Sequence, residues 1–294
     1  MYGVLIVDKP AGMTSHDVVN RVRRLARLRR VGHAGTLDPM ATGVLTLLLG
    51  PATRLSRFAM AGRKRYQGVV RLGQTTTTYD AEGEILQTEH VDIDFEAIQA
   101  AVRKFEGPIL QTPPMYSAIK VDGQKLYELA RKGREIEREP REVTIHHIEI
   151  LKWAPPDLTL DVVCSSGTYI RSLAHDLGQE LGCGAHLHAL RRLASGPFTL
   201  KEAHSLEELA RLQEKGRLDS ALLPPHTALG SMPAVHVKAD QEQAIRYGQQ
   251  ITLNAAPESD LIQARDPEGH LIAVLRRLDQ ETYQPTLVLP PADS

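Results

Sequence analysis

The chain has 294 residues, 42% of them apolar and 24% charged, with a formal net charge of −1. That length suits one large domain or a main domain with a smaller companion, and the composition is that of a folded globular protein rather than a disordered or fibrous one. No apolar run approaches 18 residues, which argues against a membrane-spanning helix, and the two cysteines, Cys164 and Cys183, suit a reducing cytoplasm better than a disulfide framework.

The charge is unevenly spread. Residues 1–78 hold 13 Lys and Arg against 3 Asp and Glu, whereas residues 79–294 hold 22 against 33. A basic segment of that strength points to a polyanion such as nucleic acid, unless the two halves neutralise each other inside the molecule. Met1 leads directly into a strand-like run, Tyr2 to Asp8, with no charged-then-apolar leader pattern. A turn at Asp8-Lys9-Pro10-Ala11-Gly12 follows, and Thr14 or Ser15 offers a hydroxyl cap for a helix beginning near His16. Val18, Val22 and Leu25, at i, i+4 and i+7, give that helix a buried stripe. Arg21, Arg23, Arg24, Arg27, Arg29 and Arg30 fall on its other faces. No acid lies between residues 18 and 37 to pair with them, so phosphate contact is a better reading than a solvated charged face.

His33-Ala34-Gly35-Thr36-Leu37-Asp38-Pro39-Met40-Ala41-Thr42-Gly43 is a loop by composition. Its one acid, Asp38, sits in surroundings basic enough to keep a carboxylate ionised. Either it shapes the turn before Pro39, or it is a reactive group. Val44–Leu49 is apolar enough for a strand buried on both faces, and Pro51 suits the start of a short helix through about Met60. Residues 63–72 read as a strand with a basic entrance and one aromatic, Tyr66. A tyrosine there can stack a base, although the residues alone favour packing.

A polar turn at 75–83 precedes a strand near 84–88, and Phe95, Ile98 and Val102 mark an amphipathic helix. Residues 113–123 join a strand to an Asp-Gly turn, and a helix is expected through about Lys132. The whole excursion, 113–142, reads as a mobile flap or an ordinary surface insertion. Residues 158–164 alternate as a half-buried strand. A Gly-containing turn then starts a helix whose core stripe is Ile170, Leu173, Ala174, Leu177 and Leu181. Arg171 is expected off that stripe, in the first turn, where the positive end of the helix dipole disfavours a cation; a carboxylate partner would offset that cost.

Cys183, His186 and His188 lack the ligand spacing of a zinc site, and His146 and His147 point to opposite faces of a strand, so no metal site is predicted. Proline and glycine density at 222–233 marks a linker, which divides the chain into residues 1–230 and 231–294. Beyond it, strands near 234–237, 251–253, 261–265, 271–278 and 287–289 and a helix over 241–247 make a small β-rich module.

Taken together, five segments resemble the bacterial tRNA pseudouridine-55 synthase family (TruB). They are Val7-Asp-Lys-Pro-Ala-Gly-Met-Thr-Ser15, the His33–Gly43 run, Lys64-Arg-Tyr66, Ser166-Gly-Thr-Tyr-Ile-Arg171 and Leu190-Arg-Arg192, in the family's order and spacing. The resemblance implies an α+β fold. Residues 1–230 would form a catalytic domain on a large mixed, mostly antiparallel sheet flanked by helices, with an RNA-gripping insertion at about 113–142. Residues 231–294 would form a PUA-like RNA-binding domain. It also implies isomerisation of uridine 55 in the tRNA T loop, with neither cofactor nor metal, by a monomer. By position, Asp38 matches the catalytic aspartate, Arg171 the arginine that pairs with it, and Tyr66 the base-stacking tyrosine. His33, Tyr169 and Leu190 match positions that contact the flipped nucleotide. Lys9, Pro10, Asp80 and Lys120 match supporting positions.

The chemistry fits. Breaking N1–C1′, turning the uracil and joining C5 to C1′ moves no electrons to a carrier, but needs an ionised carboxylate in a site closed to water. Flipping the uridine costs a few kcal/mol, and stacking on Tyr66 would return about 1–3 kcal/mol. One departure stands out: residues 231–294 carry 5 Lys and Arg against 9 Asp and Glu, so any RNA contact there must be small and local. Two other readings use the same motifs. A tRNA-folding chaperone would need only the basic groove and flap. The catalytic subunit of a guide-RNA particle is disfavoured because the first strand starts at Met1, with no extension before it.

Overall fold

Residues 64–72 show how the larger sheet is built. Lys64, Tyr66, Gly68, Val70 and Leu72 are buried on one face, while Arg65 and Gln67 are exposed on the other, the period of two expected of a strand. The computed structural model describes residues 1–117, 120–121, 124–125, 136–254 and 256–291. Its two compact units are interleaved along the chain: residues 1–38, 44–62 and 195–294 form the first, and residues 39–43 and 63–194 the second.

In the second unit the strands run in the order Ala185–Ser195, Lys64–Leu72, Asp157–Cys164, Arg141–Ala154 and Gly107–Gln111. The last four pair antiparallel. Thr42 and Gly43 add a parallel pairing with Arg191 and Arg192, which makes the sheet mixed. On the outward face, Arg71 lies directly opposite Asp157 and holds it with two bonds of 2.7 and 2.8 Å; Arg65 reaches Asp161 at 2.9 Å. Such cross-strand pairs reinforce register more than stability. Helix Ile170–Glu180 buries Ile170, Leu173, Ala174 and Leu177. Gly178 lets it come close to the following strand, since a Cβ there would lie 2.1 Å from the Ala185 nitrogen.

The first unit begins with strand Gly3–Lys9, which lies beside Thr42–Leu49; Val31–His33 pairs antiparallel with Leu47–Leu49. Helix Ser15–Ala26 buries Val18, Val19 and Val22. It stops earlier than the arginine run implies: Arg27 is left-handed (φ 51°) at the helix end, so Arg29 and Arg30 lie in the connection to the next strand rather than on a helical face. The C-terminal residues form a five-stranded sheet in the order Ala234–His236, Leu261–Arg265, Leu271–Arg277, Thr282–Val288 and Ile251–Thr252. Its strand Thr282–Val288 begins earlier than the sequence pattern suggests. Pro285, which has no N–H to donate, is accommodated where the register shifts between Val274 and Leu275.

Both faces of that small sheet are covered. Ile262, Ile272, Tyr283 and Leu275 pack with Val237, Ile245 and Ile251. Leu271, Val274, Leu287 and Leu289 instead join Val4, Ile6, Val44, Leu48, Leu55 and Phe198 in one core. In the insertion, Lys120–Val121 pairs with Gln124–Lys125. The helix expected through Lys132 lies outside the described residues. No described helix is long and apolar enough to cross a membrane.

Candidate active site

The predicted site residues fall into two groups, one in each unit. In the first unit, the buried Lys9 closes the turn after the first strand: its ammonium donates to the carbonyls of Pro10 at 2.9 Å and Met13 at 2.6 Å. The two hydroxyls that follow divide the work. Thr14 caps the helix in a reciprocal box with Asp17, and its bonds hold the Asp17 carboxyl below the usual range. Ser15 is thereby left to reach across to the loop. Its hydroxyl donates to the Leu37 carbonyl at 3.0 Å and accepts from the Leu37 N–H at 2.8 Å, and both residues are buried. The backbone one residue before Asp38 is bracketed on both polar atoms. Upstream, the Ala34 N–H donates to the Thr46 carbonyl at 2.9 Å, and His33 lies opposite Leu47. Asp38 itself is half-buried.

The second unit holds the other end of this loop. Gly43 has φ +101°, and a Cβ on it would lie 2.2 Å from the Arg192 carbonyl oxygen. Only glycine fits so close to the facing strand, which explains the last residue of the His33–Gly43 run. Arg191 adds a 3.3 Å bond from its guanidinium to the Thr42 hydroxyl.

Arg171 is buried, not projecting from the helix surface as the periodicity implied, with its side chain 5% exposed. Its carboxylate partner within the unit is Asp80, also 4% exposed, at 3.3 Å. The guanidinium further donates to the carbonyls of Thr78 at 3.3 Å and Tyr116 at 2.8 Å. Removing either charge from such a dry pair takes a close compensating partner from the charge that stays buried. Asp80 is itself constrained: its carboxylate accepts from the Thr78 hydroxyl and the Glu82 N–H, and its carbonyl accepts from the Thr76 hydroxyl at 2.7 Å. Tyr79, between them, is left-handed (φ 62°), and its ring stacks on His175 with centroids 3.9 Å apart and planes 10° off parallel. His175 lies one turn beyond Arg171, so one helix face grips residues 78–80 at two points.

The helix start is held just as closely. The buried Gln111 side chain accepts from the Tyr169 N–H at 2.7 Å and donates to the Tyr169 carbonyl at 3.0 Å; Ser172 donates to the Thr112 carbonyl at 2.8 Å. Tyr66 and Leu190 are buried at 8% and 9% exposure, and Gly68, two residues after Tyr66, faces Leu187, Ile170 and Leu190. Lys64 shares the Tyr66 face and lies opposite Cys164. Burial, reinforced by the nearby Arg192 charge, pushes the Lys64 ammonium down to about 8; burial pushes the Cys164 thiol up to about 11. His186 is committed elsewhere, its Nδ1 lying 3.1 Å from the Gln74 carbonyl. Of Lys120 only the backbone is described, paired with Lys125.

Gln111, Tyr79 and His175 have no assigned role in the sequence pattern, and Ser15 enters it only as an alternative helix cap and as the end of the Val7–Ser15 motif. Only Ser15 carried a signal, as the second of two consecutive hydroxyls where one suffices for a cap.

Residues 23–170 match the model of the TruB family pseudouridylate synthase N-terminal domain, and residues 171–230 that of the tRNA pseudouridylate synthase B C-terminal domain. The chain is 42% identical to tRNA pseudouridine synthase B of Haemophilus influenzae over 97% of its length and 92% of the relative's. It is 44% identical to that of Solibacter usitatus, over 98% and 100% of the two chains. Among solved structures, a Cbf5-Nop10-Gar1 complex contains a chain of TM-score 0.79 and 28% identity, matched over 99% of this chain and 86% of that one. With half the chain matched by one family model and relatives above 40% identity along nearly its whole length, the chain belongs to the TruB family of pseudouridylate synthases.

Proposed function

We propose that the enzyme isomerises uridine 55 in the T loop of tRNA, as a cytoplasmic monomer, with Asp38 as the reacting carboxylate. tRNA as substrate is supported by the relatives, which carry the name tRNA pseudouridine synthase B. The observation that carries the assignment of Asp38 is the two-sided bond between Ser15 and Leu37, which fixes the backbone immediately before the one acid of the loop. A carboxylate that reacts with a sugar or a ring needs that kind of positioning, because small displacements of a reacting group are costly.

In this reading Arg171 keeps Asp38 ionised, and Asp80 and the carbonyls of Thr78 and Tyr116 keep Arg171 oriented. Tyr66 stacks the flipped base, with His33, Tyr169 and Leu190 around the nucleotide. Lys9 and Pro10 support the site, Lys120 belongs to the RNA-gripping insertion, and residues 231–294 form a PUA-like module. Addition at C6, attack at C1′ and proton removal at C2′ all begin from ionised Asp38. Each ends with N1–C1′ broken, C5–C1′ formed, the C5 proton released and a proton taken up at N1.

The test is tritium release from C5-labelled uridine in a T stem-loop RNA, using the protein alone without any guide RNA. Wild-type protein should release label. Asp38→Asn should slow release by on the order of 10⁴-fold or more, as loss of a nucleophile does, while RNA affinity is largely kept. Full turnover by Asp38→Asn would remove Asp38 from the mechanism.

A further inference from the structure

The strand after the Asp38 loop, Thr42–Leu49, is eight residues long. At about 3.3 Å per residue its ends lie roughly 23 Å apart. Its far end runs into Gly50 and Pro51, beside a groove of about 510 Å³ lined by Arg30, Arg54 and Arg246 together with Pro51, Val288 and Leu289. Arg30 is placed there by the short strand that follows it: Val31 pairs with Leu49, and the Gly50 N–H donates to the Arg30 carbonyl at 2.8 Å.

Three guanidiniums thus line one groove, and two of them are anchored. Arg54 donates to the Val288 carbonyl, and Arg246 to the next carbonyl, Leu289, at 3.2 Å. Glu242 pairs with Arg246 at 2.6 Å and, among the described residues, is the only carboxylate ion-paired with any of the three. The Arg30 side chain makes no hydrogen bond or ion pair with a described residue. Like charges gathered in this way favour an anion among them, and planar guanidinium forks fit a phosphate better than a point cation would.

We infer that this groove binds a phosphate of the tRNA backbone roughly 20 Å from the reacting nucleotide, in helical RNA that lies beyond the isolated T stem-loop. The site gives the acidic C-terminal residues a single local point of RNA contact, Arg246, set beside two arginines of the amino-terminal segment. This inference rests on the proposal that a tRNA loop reacts at Asp38.

Binding of a full-length tRNA transcript and of its isolated T stem-loop hairpin, measured across a salt series, tests it. Arg30→Glu carries the test because that side chain supports nothing else described. It should weaken full-length tRNA about tenfold near 0.1 M salt and reduce the slope of log affinity against log salt by about one to two. Hairpin affinity and hairpin turnover should stay at wild-type values. Arg54→Gln should act in the same direction, and Arg54→Lys should retain most of the affinity. Unchanged tRNA affinity in Arg30→Glu, or an equal loss for hairpin and tRNA, overturns the groove. A hairpin that does not react with wild-type protein removes the underlying T-loop reading instead, so the two failures are distinct.

Discussion

The loop that carries Asp38 is held at its main chain on both sides of that residue. Ser15 brackets both polar atoms of Leu37, Ala34 bonds to Thr46, and Gly43 lies against the Arg192 backbone at a distance no Cβ permits. Arg171 is positioned largely by side chains: the Asp80 carboxylate, beside the Thr78 and Tyr116 carbonyls, holds its guanidinium, and the Tyr79–His175 stack and the Gln111 amide hold its helix. A loop fixed at its backbone carries its side chain wherever the chain goes, and depends on local geometry. A buried cation depends on electrostatic satisfaction, and its supporters can be removed one at a time. The first arrangement suits a group whose position matters most; the second suits one whose charge must be kept in a dry setting.

Asp80→Asn should have the largest effect on stability, because it preserves shape and removes only the carboxylate charge 3.3 Å from the buried Arg171 guanidinium. A loss of about 3–5 kcal/mol in denaturant unfolding is expected. A loss below about 1 kcal/mol would show that Arg171 is satisfied without Asp80, and the contrast drawn above would fail on the side-chain half. Ser15→Ala strips both bonds from Leu37 while leaving the Thr14 cap in place. It should cost about 1–2 kcal/mol and slow single-turnover isomerisation by up to about 10²-fold, with RNA affinity little changed. Wild-type turnover would mean that the loop is held by its far end alone.

His175→Ala should destabilise by about 1 kcal/mol, and His175→Phe, which retains a ring under Tyr79, should recover most of it. Equal losses in the two variants would assign the effect to the imidazole nitrogens rather than to the stack. Asp176 gives the smallest expected effect. Burial raises its carboxyl to about 6, so the folded state binds a proton that the unfolded state has released between about pH 4 and 6, and stability contributed by this group falls as pH rises through that window. Asp176→Asn should therefore stabilise by about 1 kcal/mol above pH 6, because solvent still reaches the carboxyl, and by nothing near pH 4.

The sequence made the loop, the arginine run and the main strands visible because each is local: composition marks a turn, and alternation marks a strand. Which of Thr14 and Ser15 caps the helix was not readable, since two hydroxyls in succession satisfy the same rule. The burial of Arg171 was hidden because helical spacing describes a helix against one neighbour, and the residues enclosing this side chain come from segments 78–80 and 116. Gln111 gave no signal at all, because it acts on the backbone of Tyr169. Strand Val31–His33 is too short to show a period, and Pro285 disguised the start of Thr282–Val288. The C-terminal module was legible as β-rich, but not its burial on both faces, since that depends on partners near the start of the chain.

That last arrangement bears on how the protein is made. Val4 and Ile6 leave the ribosome about 280 residues ahead of Leu287 and Leu289, which form part of their core. At about 5–20 residues per second the amino-terminal strands wait tens of seconds for those partners. During that interval the first unit exposes apolar strand surface, whereas residues 63–194 of the second unit are already complete. Nascent chains stalled before residue 287 should therefore show a protease-resistant second unit attached to a sensitive amino terminus.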